Sequence, residues 1–369
     1  MEFSVHILVA VIICNLIKSA AMFWTLLCQR ENTLVTFGDA LASWLESPDT
    51  NTTHRCLMSK KDILHSSQKG SLAEKVNTPT PVPFSRSQTH RWHEAISPNR
   101  WAASMIPPII AIIVAGLLLH LALTDDYIAP NPLVSLGFGS LSPAAVIKIN
   151  LPQEGTAGLT SCVLLANLPQ LILSFLYLMY NGLYTGMHMA HEYGGYAAHR
   201  KPLRVTTPSG AQRSTYWLQL PYAYGVPLLL ASAVLHWLVS QSIFLARVTV
   251  WFKDAQTEKS TASAVGYSPA PILCTILLGT CMLIVAAGMG FRKLPGSIPI
   301  AGSCSVALAA AAHRPESDVD AAVLPVKWGV VRESEGADDV VGHCCFTSEE
   351  VTEPQEGRLY AGGTKDGIS

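Results

Sequence analysis

The stretch APILCTILLGTCMLIVAAGMG, Ala270–Gly290, decides the fold class of this chain. Its 21 residues contain no charged side chain. As a helix it would be about 31 Å long, enough to cross a hydrocarbon core of about 30 Å. A helix that is apolar on every side has no use on the surface of a soluble domain.

Four further blocks of this kind lie upstream: Ser4–Leu27, Ile106–Leu123, Cys162–Met187 and Pro221–Leu245. The first reads as an anchor. No basic residue precedes it, Glu2 is acidic, and it is longer than the 7–15-residue core of a signal peptide. Its Lys18 is placed to snorkel towards the interface. Pro107 and Pro108 open the second block, where the first helical turn tolerates proline. Composition agrees with this reading. Only 14% of the 369 residues are charged, against about 25% in soluble domains. A net charge of -1 gives no surface for nucleic acid, and nine cysteines scattered partly through apolar blocks do not make a disulfide framework.

The expected architecture is therefore all-α: a polytopic membrane helix bundle of about five transmembrane helices, with a small, mostly irregular tail containing a β-hairpin. Residues 1–30 form the first span. Residues 31–104 form a cytosolic segment, residues 105–291 a four-helix membrane region, and residues 292–369 a cytosolic tail. Basic residues orient the bundle. There are nine Lys and Arg in 28–104, one in 124–161, four in 188–220 and two in 248–269, and Arg292-Lys293 open the tail. Alternating high and low counts put the N-terminus outside and the tail in the cytosol. The sequon Asn51-Thr52-Thr53 then lies in the cytosol and goes unused.

Outside the spans, Leu34, Phe37, Leu41, Trp44 and Leu45 recur at helical spacing before Pro48, which predicts a short amphipathic helix. From Pro48 to His90 the composition reads as a flexible linker. In the tail, Leu324–Val331 and Val340–Phe346 read as two strands flanking the acidic turn Glu333–Asp339, and the final residues read as disordered.

Candidate chemistry is sparse. His188, His191, Glu192, His199 and Arg200 cluster after the third span, but Gly194-Gly195 is expected to break the helix there. The spacing of the two histidines is not that of a zincin. No metal, haem or other cofactor is expected, and no phosphate loop, nucleophile elbow or carboxylate pair suggests an enzyme. Within the spans, Asn167, Gln170 and His236, with Pro169 and Pro227, offer either a polar path or hydrogen bonds between helices.

The words YLMYNGLYTGMHMAHEY (177–193), HRKPLRVTTPSGAQRSTYWLQLPY (199–222) and LHWLVSQSIFLARV (235–248) resemble a family of fungal multi-pass membrane proteins carrying a domain of unknown function. AGSCSVALAAAAH (301–313), LPVKWGVV (324–331) and GHCCF (342–346) are similar to the same family. The resemblance implies a fungal origin and a membrane location; which membrane is open, and the plasma membrane is favoured. It also implies an N-terminal region preceding this chain, so truncation is expected. It transfers no activity. The remaining functional expectations are transport or sensing of a solute, or a structural or signalling scaffold. Membrane lipids are the expected partners. The best single site is the loop after the third span, where Arg204 and Arg213 are expected to meet an anion: a headgroup, a ligand, or an acidic side chain such as those of 333–339.

Overall fold

The computed structural model describes residues 5–28, 34–53, 55–63, 80–85, 90–124, 138, 146–147, 155–251, 259–331 and 341–363. Its helices are α1 (Val5–Cys28), α2 (Phe37–Glu46), α3 (Pro98–Thr124), α4 (Gly155–Ala198), α5 (Tyr222–Ser242), α6 (Pro269–Gly290) and α7 (Ser305–Ala310). All but α2 and α7 are long and apolar enough to cross a membrane. Every described side chain of α1 is exposed, and α3–α6 likewise expose apolar residues outward. That pattern suits hydrocarbon and not water.

Helices α3, α4, α5 and α6 form a ring in which each packs on two neighbours: α3 on α4, α4 on α5, α5 on α6, α6 on α3. The diagonal pair α4–α6 touches little. α3 starts at Pro98, so Pro107 and Pro108 lie inside the helix and not in its first turn. They remove two amide donors from its backbone ladder.

Two boundaries differ from the sequence reading. α4 runs for 44 residues without interruption. That is about 66 Å, twice the hydrocarbon thickness. Gly194-Gly195 does not break it. A methyl group on Gly194 would run into the carbonyl of Pro295, so small size at this position permits close approach of the chain after α6. Gly296 (φ 73°) turns that chain away. The second difference is at Ser242, where α5 gives way to strand. A long antiparallel hairpin follows, whose strands run Ile243–Trp251 and Lys259–Tyr267, paired from Ile243↔Tyr267 to Trp251↔Lys259. Its base is closed by Ser268 N–H donating to Ser242 O (2.9 Å), and it leans on α4. The β-branched run Val248-Thr249-Val250 favours this strand over helix.

The remaining strands are β1 (Thr80–Pro83), β2 (Arg204–Val205), β3 (Arg213–Ser214), β6 (Lys327–Val330), β7 (Cys344–Thr347) and β8 (Leu359–Gly363), the long hairpin being β4–β5. The expected tail hairpin is β6–β7, in antiparallel register from Lys327↔Thr347 to Val330↔Cys344. The long hairpin makes the chain not purely helical, while the tail is as expected: outside α7, β6, β7 and β8 its described residues are turns and irregular chain. β8 pairs with β1, so the segment read as a flexible linker and the last described residues hold each other. Cys56 N–H donates to Ala361 O (3.0 Å) along the same edge. The acidic turn 333–339, linker residues 64–79 and the final residues 364–369 lie outside the described residues.

These pieces close over one hydrophobic core. Phe37, Leu41 and Leu45 of α2 enter it, as the helical spacing predicts, together with Cys56, Met58, Ile63 and Phe84. Tyr193 and Tyr196 of α4, Trp328, Phe346 and Tyr360 complete it. Phe37 and Phe346 each pack on both Tyr193 and Tyr196, with ring centroids between 5.5 and 6.1 Å apart. The last third of α4 is therefore the spine of a packed polar-surfaced module, while its first two thirds belong to the helix ring.

Candidate functional site

Parallel pairing of β2 with β3 sets Arg204 beside Arg213, and both reach Glu192 on α4. Arg204 donates through Nε (3.0 Å to each carboxylate oxygen) and Nη2 (2.8 Å), and Arg213 through Nη2 (2.6 Å). Arg204 also donates to Thr215 Oγ1 (2.5 Å) and stacks over Tyr216. Burial disfavours its charge, but the hydrogen bonds and negative charge of Glu192 outweigh this and hold its pKa above the ordinary value. At 8% exposure, Arg204 is committed to a partner within the chain. Among the described residues that partner is Glu192; the acidic turn 333–339 lies outside them. Arg213 remains half exposed.

The network continues through the backbone. Thr36 Oγ1 donates to Arg204 O (2.8 Å) while capping α2. Asp39, in the same capping box, accepts from the Thr206 amide and hydroxyl (both 2.7 Å). The α2 cap is thereby stitched to the loop after α4.

Arg200, exposed at the end of α4, donates to the carbonyls of Pro325 (3.3 Å), Thr347 (3.4 Å), Ser348 and Glu349 (2.6 Å). Asp318 accepts from Thr347 Oγ1, Ser348 N (2.6 Å) and Ser348 Oγ (2.5 Å). Neither clamp was legible in the sequence, because both join residues at least 29 apart.

His188 and His191 do share a face of α4. They pack on the buried Trp92 (5.0 and 5.1 Å between ring centroids), and His188 also lies 4.0 Å from the Tyr224 ring. Arg292 stacks over Trp92 and donates to Tyr224 Oη (3.0 Å). Among the described residues, no group of three or more His, Cys, Asp or Glu could hold a metal ion.

In the ring of helices, Gln170 and His236 meet. Gln170 Nε2 donates to His236 O (2.9 Å), and His236 Nδ1 lies 2.5 Å from Gln170 Oε1. This is an α4–α5 clasp. Asn167 does not join it; its amide donates to Val163 O of its own helix (2.8 Å).

Between the four helices lies a half-open chamber of about 500 Å³, a size that suits a small-molecule ligand. Among the described residues, no charged side chain lines it. Pro107, Tyr180 and Met282 mark one end, Pro169, Ser242 and Ile272 the other. Tyr180 and Pro169, 11 positions apart on α4, put its depth at about 16 Å. Its walls include Ala111, Ala115, Ser232 and Gly279, where small residues leave space between helices. That spacing is the only sequence signal that could have announced the chamber.

Ring, hairpin and module together define a class: a predominantly helical protein with five helices of membrane-crossing length built onto a packed, strand-containing module. The chain belongs to the family described as a domain of unknown function, DUF8419, whose model matches residues 36–76 and 65–360. Neither the curated proteins nor the solved structures yielded a match.

Proposed function

We propose that this is a multi-pass integral membrane protein of a fungal family that binds an apolar, membrane-soluble molecule in the four-helix chamber and relays occupancy to a cytosolic module. The N-terminus lies outside and the module inside, as the alternation of basic residues indicates. One observation carries the reading: α4 walls the chamber through Pro169, Ile172, Leu176 and Tyr180, then continues unbroken to Tyr193 and Tyr196 in the core of the module. A rigid helix sharing both environments converts a change in one into strain in the other. The apolar lining speaks against a polar or ionic solute. No catalytic step is part of this reading. Membrane lipid is the natural source of the occupant.

The competing scaffold reading has support in the Gln170–His236 clasp, since polar groups of the ring serve helix–helix contact. A direct test uses the full chain in nanodiscs with a diazirine-bearing hexadecane. Cross-links concentrated on chamber walls, and reduced by Gly279→Leu, support ligand binding. Slower hydrogen exchange in the module on loading supports the relay. Labelling spread evenly over the outer faces would leave the scaffold reading standing.

A further inference from the structure

The hydroxyls lining the chamber are not equivalent. Ser242 Oγ donates to Leu238 O and Thr275 Oγ1 to Pro271 O, each 2.8 Å away on its own helix. Such back-bonding is the ordinary fate of a hydroxyl in an apolar helix. Tyr180 is different. It lines one end of the chamber, is only 4% exposed, and its hydroxyl has no hydrogen-bond partner among the described residues. Tyr177, three positions earlier and so on the same helical face, also lines this end. A phenol in apolar surroundings normally finds a partner, because an unpaired donor there forfeits its hydration without replacement. Ser232, ten positions before Ser242 on α5 and so near the Tyr180 end, shows no hydrogen bond among the described residues either, but serine can return to a carbonyl of its own helix by rotating one bond. A tyrosine hydroxyl stands too far from its own backbone to do so. The nearest helix ends offer no help, because Tyr180 lies in the middle of α4.

We infer that the chamber takes a lipid-like molecule whose apolar body, about 16 Å long, carries one hydroxyl or carbonyl oxygen at the Tyr180 end, where the phenol donates to it. The inference rests on the proposed ligand-binding function of the chamber and adds the chemical class and the orientation of the occupant. The apolar body fills the space towards Pro169 and Ile272, and the oxygen sits at the opposite end, which Tyr180 lines with Pro107 and Met282. In the orientation proposed above, this is the end closer to the module.

Unlabelled hexadecanol and hexadecane are compared as competitors of the diazirine-bearing hexadecane, with the full chain in nanodiscs. Hexadecanol should compete at about 3- to 10-fold lower mole fraction, the advantage of one net hydrogen bond. Tyr180→Phe should erase that difference while leaving hexadecane competition unchanged, which also verifies that the variant is folded. Ser232→Ala should preserve it. Equal competition by the two compounds in the unmodified protein overturns the inference and leaves the chamber as a simple apolar site. A difference that survives Tyr180→Phe, or vanishes in Ser232→Ala, overturns the assignment of the donor. Failure of every probe to label the chamber walls sinks the underlying function itself.

Discussion

Glu192 holds Arg204 across both carboxylate oxygens, at 3.0, 3.0 and 2.8 Å, and so joins the far end of α4 to the loop that follows it. Because Arg213 uses the same carboxylate and Thr36 caps onto Arg204 O, one acidic side chain organises three segments. Bidentate geometry is what arginine supplies and lysine does not.

Glu192→Ala should therefore be the most damaging of the loop substitutions, because it leaves a buried guanidinium without its counter-charge. A loss of about 3 kcal/mol is expected. Arg204→Lys keeps the charge but loses the fork and should cost less. Arg213→Lys, at a half-exposed position, should cost under about 1 kcal/mol. Thermal unfolding of the three variants in detergent gives the order; equal effects would show that charge alone matters.

Arg200→Ala should loosen the tail without unfolding the helix ring. Its guanidinium is the donor to four tail carbonyls, and their loss frees the segment around Thr347–Glu349. Limited proteolysis should cut this variant faster between residues 315 and 350 while leaving α3–α6 intact. Unchanged cleavage kinetics would assign the docking to the hydrophobic core alone.

Stability of the module should fall in acid. Burial raises the pKa of Asp318, but hydrogen bonds from Ser348 and Thr347 outweigh it, so the carboxyl titrates below its ordinary value. Asp39 behaves alike: burial opposes, and the bonds from Thr206 and Thr36 prevail. A depressed folded-state pKa means the unfolded chain binds more protons. The stabilisation is complete above an unfolded carboxylate pKa of about 4 and is lost as pH drops further through the folded value. Melting temperature followed from pH 7 to pH 3 should be flat and then decline. In Asp318→Asn the decline should be shallower and the plateau lower.

Reporters inserted at Gly210, between β4 and β5 after Gln256, and after Ser369 should read inside, outside and inside. A reporter on the 125–154 segment should read outside. Two neighbouring insertions on the same side would refute the orientation drawn from the basic residues.

The five long helices were legible because membrane-crossing capacity is local: 20 or so apolar residues such as 270–290 carry it whatever their neighbours do. The α2 helix and the β6–β7 hairpin were legible for the same reason, through periods of 3.6 and 2. Two local signals misled. Gly194-Gly195 looks like a helix break, yet a helix tolerates glycine when tertiary packing demands a small residue, and Pro295 demands it here. Ile243–Trp251 continues an apolar run, and only its pairing with Lys259–Tyr267 makes it strand. Arg204 and Arg213 could be singled out as arginines suited to an anion, but the identity of Glu192 as that anion required folding, since 12 and 21 residues separate them from it. The chamber lay furthest from view. It exists because of which faces of α3, α4, α5 and α6 are turned towards each other, and a single helix's sequence cannot state what stands opposite. Sequence determined which segments are long and apolar enough to cross a membrane; tertiary packing decided what space lies between them.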